Sequence, residues 1–244
     1  MDQGCLADHL GRYVDLRGPE REALNELTIS HRQFRRGTVV RAEHGPLGDI
    51  MVVTDGWLFS SALLEDGRRQ IMRLHFRGDL VGLDGLAYDR APDTISALTD
   101  AQVCLIDRVA LGRMFIDHPR LCAFLFAIQQ IDRVVLAERL ISLGRSSAKG
   151  RVAALLMWIA NRMQFANIAI DGGFVLPVTQ EEIGDLSGLT AVHVNRTMRA
   201  LADQGLIARS GTTLRILDME RLAHLANYSE RRPVLDPVWL PLAD

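Results

Sequence analysis

The chain has 244 residues, 48% hydrophobic and 24% charged, with a net charge of −2, which suits one large or two modest globular domains with real cores. Its three cysteines, Cys5, Cys104 and Cys122, are far apart, so they exclude a disulfide framework and fit a reducing cytoplasm. No basic-then-apolar leader opens the chain and no apolar run nears the ~20 residues of a membrane span, so a cytoplasmic protein with no membrane partner is expected.

The charge is unevenly spread. Residues 145–217 carry eight basic and five acidic side chains, so this stretch is positive and the remainder negative. Lys149 is the sole lysine, and a genomic bias toward arginine accounts for that as well as function does.

Residues 1–31 place Leu6, Leu10, Tyr13, Leu24 and Leu27 at helical spacing, and Pro19–Glu22 reads as the first turn of a helix. From Arg32 the pattern changes to short β-rich runs: Gly37–Arg41, Ile50–Thr54, Trp57–Ser60, Gln70–Phe76 and Val103–Ile106. Glycine turns separate them, and no helix intervenes. Such spacing predicts an antiparallel sandwich or jelly roll.

Pro119 suits a first helical position. Leu121 to Leu143 then runs without Gly or Pro, and its apolar positions cover more than one stripe. A single buried helix would carry such a surface. So would a helix packed both on its own domain and on a second copy, the reading preferred here because the segment described next requires two copies. Residues 144–150 form a hinge, and the S-x-x-K spacing of Ser146 to Lys149 reads as linker because no K-T-G partner motif accompanies it. Arg151–Phe165 reads as a further helix. Ile168–Leu176 reads as a hairpin turning at Asp171-Gly172-Gly173. The tail, Arg231–Asp244, has three prolines and reads as an extended strap or a disordered end.

Thr179-Gln-Glu-Glu182 is a capping box for a short helix. Gly184 leaves room for a close crossing, and Gly188 can take the left-handed conformation that ends the helix sharply. Thr190 caps a second helix whose Val194, Thr197 or Met198, and Leu201 face inward. Gly205 closes it. Two such helices form a helix-turn-helix, whose second helix offers its first residues to the DNA major groove. Arg196 can donate to guanine O6 and N7, His193 can donate or accept at a base edge, and Val192 can pack on a thymine methyl. Asn195 is expected on the same exposed face. The hydroxyl, amide and free backbone N–H groups of Thr179 and Gln180 suit phosphates, as does Arg199, and Thr190 is a further candidate for DNA contact. Residues 206–217 then read as a β-hairpin wing with Arg209 at its tip.

At this point the chain resembles the Crp/Fnr superfamily of bacterial regulators. The resemblance rests on Gly78-Asp-Leu-Val-Gly82, on Gly150-Arg-Val-Ala-Ala-Leu-Leu156, and on Thr179–Gly184 through Asn195-Arg196, and it covers roughly residues 20 to 225. It implies an α+β architecture: an N-terminal antiparallel β-roll or jelly roll of the cyclic-nucleotide-binding type (1–117), a dimerisation helix and hinge (118–146), a winged helix-turn-helix (147–225) and a C-terminal tail (226–244). It also implies a homodimer on a near-palindromic double-stranded DNA operator, an effector acting at the β domain, and contact with RNA polymerase if the protein activates.

Departures from the family pattern bear on the effector. Where cyclic-AMP members have a Glu after the glycine aligned with Gly82, Leu83 stands, followed by Asp84. Where they have an Arg-Ser pair for the cyclic phosphate, Asp93-Thr94 stands, and an aspartate repels that phosphate. The hydroxyl-bearing positions of the long helix fall on Leu136 and Ala137. An effector pocket at Gly82, Leu83, Asp84, Asp93, Thr94 and Leu136 would therefore not take cyclic AMP. One cysteine near the N-terminus does not supply the four an iron–sulfur cluster needs. No cofactor is expected, and haem on His118 stays open. The rival reading is a metal-dependent jelly-roll enzyme with an accessory helical domain. It needs a histidine cluster, for which His31, His44 and His75 are the candidates.

Overall fold

In the computed structural model, residues 5–166, 170, 172–231 and 239–240 are described. The chain divides into two compact units. One comprises residues 1–62, 72–133 and 233–244, the other residues 63–71 and 134–232.

The first unit opens with helices α1 (Cys5–Leu10) and α2 (Gly18–Glu26). β1 (Thr28–Phe34) follows, four residues before the expected onset of β structure, because Thr28 and its neighbours pair with β8 (Ala101–Ile106). β2 (Val39–Arg41), β3 (Ile50–Asp55), β4 (Leu58–Leu63) and β5 (Arg69–His75) match the expected runs within a few residues. Two further strands, β6 (Leu80–Val81) and β7 (Thr94–Ala97), were not expected. The strands form two antiparallel four-stranded sheets, ordered β1-β8-β3-β6 and β2-β7-β4-β5.

β3 explains how the sheets pack. Its first five residues are all buried, which marks a strand covered on both faces. Met51 and Val53 join Leu58, Ile95 and Val103 in one core, while Ile50 and Val52 join Leu10, Leu24 and Phe124 in a second core formed with the helices. The second core also takes in Leu111 and Met114 of α3 (Arg108–Asp117). No helix was expected there. Asp107 caps it by accepting from the N–H groups of Val109 and Ala110, and its Leu111 and Met114 are buried in the cluster that includes Ile106 at the end of β8. Leu240 of the tail is buried in the same core; the rest of 232–244, apart from Trp239, lies outside the described residues.

α4 (Pro119–Arg145) begins at the expected proline and contributes residues to both units. The hinge is much shorter than expected. Ser147 already caps α5 (Ala148–Phe165) by accepting from Gly150 N–H, so only two residues separate the helices. The expected hairpin at 168–176 also differs. Phe174–Val175 is β9 and pairs with β11 (Thr213–Ile216), itself paired with β10 (Ile207–Ser210), so the wing is a three-stranded sheet. The other half of that hairpin, 167–169 and Asp171, lies outside the described residues. Helices α6 (Gln180–Ser187), α7 (Ala191–Asp203) and α8 (Met219–Ala226) complete the unit. The last was not expected, although Asp218 caps it by accepting from Arg221 N–H.

Candidate nucleic-acid interface

The capping box forms as its sequence dictates. Thr179 Oγ1 accepts from Glu182 N–H at 3.1 Å, and Thr179 N–H donates to Glu182 Oε2 at 2.6 Å. The second bond corrects one expectation: the Thr179 backbone N–H is already used by Glu182 and is not free for a phosphate. Gly188 ends α6 with φ 64° and ψ 40°. A Cβ on Gly184 would lie 2.4 Å from the Leu189 carbonyl oxygen, so glycine is required by the turn itself. Thr190 caps α7 by accepting from His193 N–H.

On α7 the side chains of Val194, Thr197, Met198 and Leu201 are buried. Burying each of the large apolar ones stabilises the pair of helices by roughly 1.5–3 kcal/mol. With that face anchored, Val192 is 78% exposed and Arg196 and Arg199 are exposed as well. His193 is half-buried. Asn195 departs from expectation. It is half-buried, and its Nδ2 donates to Gln180 Oε1 at 3.0 Å. The bond ties the first turn of α6 to α7, so Asn195 positions Gln180 rather than standing open on the surface.

Arg209 also moves. It lies in β10 opposite Leu214, before the two-residue turn Gly211-Thr212, instead of at the tip. Gly211 has φ 58°, the primed geometry that matches strand twist in tight hairpins. The Arg209 guanidinium is exposed and donates from Nε to the Gly211 carbonyl, which aims the side chain along the wing.

In the first unit, two of the expected effector residues, Asp84 and Asp93, meet at a side chain that the sequence reading missed. Arg41 is 7% exposed. Its Nη1 donates to Asp84 Oδ1 at 3.1 Å, its Nη2 lies 2.8 Å from Asp84 Oδ2, and Nη2 donates to Asp93 Oδ1 at 2.6 Å. Gly82 turns the chain with φ 87° ahead of Leu83–Leu86. Leu83 packs on the helical core, and Thr94 Oγ1 accepts from Glu43 N–H. Leu136 belongs to the other unit, 46% exposed on α4. The guanidinium is thus held between two carboxylates. A cyclic phosphate brought here would compete with both, so the residues do not fit that group. No local signal pointed to Arg41, which is 43 and 52 positions from its partners.

The histidines do not gather. His75 is buried against Ser60 Oγ at 2.7 Å, His31 lies 3.2 Å from Cys104 Sγ, and His44 is exposed beside Glu43. Among the described residues no three His, Cys, Asp or Glu side chains are placed to hold a metal. His118 sits half-buried between α3 and α4. No described helix is long and apolar enough to cross a membrane.

Two domain families match the chain: the Crp-like helix-turn-helix domain over residues 150–225 and the cyclic nucleotide-binding domain over residues 31–118. The nitrogen fixation regulation protein FixK of Bradyrhizobium diazoefficiens is 31% identical over 196 residues, 79% of this chain and 80% of that protein. The transcriptional regulatory protein btr of Bordetella pertussis is 28% identical over 91% of each chain. Among solved structures, FixK2 from Bradyrhizobium japonicum superposes with a TM-score of 0.73 at 27% identity, covering 83% of this chain and 98% of that one.

Proposed function

The chain belongs to the Crp/Fnr family of transcription regulators and is not an enzyme, and from that premise we propose that it binds a near-palindromic operator as a cytoplasmic homodimer under effector control. The reading is carried by one observation: Arg196 projects into solvent from a face of α7 whose opposite side, Val194, Met198 and Leu201, is anchored in the core. Arg196, His193 and Val192 read base edges in the major groove, and Thr179, Gln180, Thr190, Arg199 and Arg209 hold phosphates. Asn195 fixes the Gln180 amide. Half-sites lie about 34 Å apart, one DNA turn.

Support for two copies comes from α4. Phe126, Val134, Leu136, Leu140 and Ile141 are 63%, 44%, 46%, 73% and 61% exposed. At 3.6 residues per turn they lie within about 160° of the helix circumference. An apolar stripe of that kind on a long helix marks an interface with another chain.

The effector is not a cyclic nucleotide, because Asp93 places a carboxylate where the family's cyclic-AMP members have the arginine for the phosphate, and that carboxylate is engaged by Arg41. A gel-shift series over all single-base variants of an operator selected from random DNA tests the proposal. Sharp loss at two symmetry-related positions is expected. Equal affinity for every sequence would overturn direct readout by α7.

A further inference from the structure

A second feature lies entirely within the unit made of residues 63–71 and 134–232. The end of α4, the start of α5, the end of α6 and the segment after α8 line a solvent-open cavity of about 270 Å³. One wall is apolar, with Val135, Leu155 and Trp158. Another carries Arg139 and Arg151.

Arg139 is an unusual wall residue. Its Nη2 donates to the carbonyls of Leu186 and Ile71, at 2.9 and 3.3 Å, and its guanidinium lies 5.8 Å from the Trp158 ring centroid. It has no carboxylate partner among the described residues, and its Nη1 is sealed from solvent without a described acceptor. Burial lowers its pKa to about 10. The donors of Arg151 also end on backbone carbonyls, those of Ser146 and Ser187. Glu138, the acidic residue of the lining, is already paired with Arg231 at 2.7 Å. Two cations therefore face an apolar-walled cavity whose one carboxylate is engaged. A buried charge left in that condition is costly, and an anion beside it relieves the cost.

We propose that this cavity binds a small organic carboxylate of about ten non-hydrogen atoms, its carboxylate beside Arg139 and Arg151 and its apolar body against Leu155 and Trp158. The site rests on the regulator reading for its consequence and supplies that reading with an effector. The bound acid joins α4, α5 and α6 at the two-residue hinge, so occupancy fixes the long helix relative to the first helix of the DNA reader.

Benzoate is a suitable probe, with benzamide as its uncharged match and inorganic phosphate as the anion without an apolar body. Thermal unfolding of the full-length protein without DNA is the readout. At ten times its Kd, benzoate raises Tm by roughly 3–6 °C, and benzamide and phosphate raise it less. Arg139→Leu abolishes the benzoate shift. So does Ala154→Leu, which fills the cavity and leaves both arginines in place, and which decides the matter if Arg139→Leu does not fold. No shift with benzoate, an equal shift with benzamide or phosphate, or a shift retained in Ala154→Leu overturns the site. The measurement contains no DNA, so its failure leaves the α7 reading standing. Loss of operator binding by a protein that keeps the benzoate shift counts against the regulator reading alone.

Discussion

The Nη2 of Arg41 donates to Asp93 Oδ1 at 2.6 Å, inside the β domain and almost out of solvent's reach. Asp84 grips the same guanidinium from its other side. The three charges neutralise one another to within a single unit. Removing Arg41 leaves two carboxylates without their counter-charge. Arg41→Ala is therefore expected to cost about 3–5 kcal/mol in urea unfolding, and cyclic AMP is expected to leave the Tm of the unaltered protein unchanged. A cyclic-AMP shift comparable to that of a true ligand would overturn this account of the triad.

Arg196 and Arg199 are one turn apart and have different expected roles. Arg196→Ala is expected to weaken binding to the best operator by about 1–3 kcal/mol and to relax preference at one base pair per half-site. Arg199→Ala should weaken all sequences alike and reduce the slope of log affinity against log salt by about one. Fluorescence anisotropy at several salt concentrations distinguishes them, and interchanged signatures would reassign the two residues.

Gly184 has no space for a side chain, since a Cβ would lie 2.4 Å from the Leu189 carbonyl oxygen. Gly184→Ala must push the turn of the helix-turn-helix outward. About 1–3 kcal/mol of destabilisation is expected from such overpacking, with loss of operator binding beyond what stability explains. Circular dichroism melts and gel shifts on the same preparation check both parts.

Leu140 and Ile141 are exposed in the single chain, so charges placed there should leave its fold intact. Leu140→Glu combined with Ile141→Glu is expected to give a folded monomer in sedimentation velocity, with operator affinity lowered at least a hundredfold. A variant that stays dimeric would move the interface off this stripe.

Asp185 sits at the end of α6, where burial raises its carboxyl pKa despite the Arg69 guanidinium at 2.8 Å. A carboxyl whose folded pKa lies above its unfolded value binds its proton more tightly in the folded state. Its contribution to stability is then present at acid pH and lost as pH rises through the raised pKa. Asp185→Asn should flatten that part of the pH dependence of the urea midpoint. An unchanged profile would show that Arg69 compensates the burial fully.

The helix-turn-helix was legible because its signals are local. The capping box at Thr179, the left-handed Gly188 and the inward row Val194, Met198 and Leu201 each act within one or two helical turns, and each is where the spacing placed it. β6, with two residues, and β7, with four, are too short to show a period and exist because longer strands hold them in place. α3 contains Gly112 and little amphipathic pattern, so it formed no expectation. α8 carries a capping signal in Asp218, ahead of only eight helical residues.

What the order of residues decided alone was the helix-turn-helix, the longer strands and the outward face of α7, since period and caps depend on neighbours a few positions away. The packed chain decided which distant polar groups meet: Asn195 with Gln180 across 15 residues, Arg41 with Asp84 and Asp93, Arg139 with the Leu186 carbonyl. Such pairs form only after long loops have closed, and closure is driven by apolar burial that carries no record of which charges it will bring together.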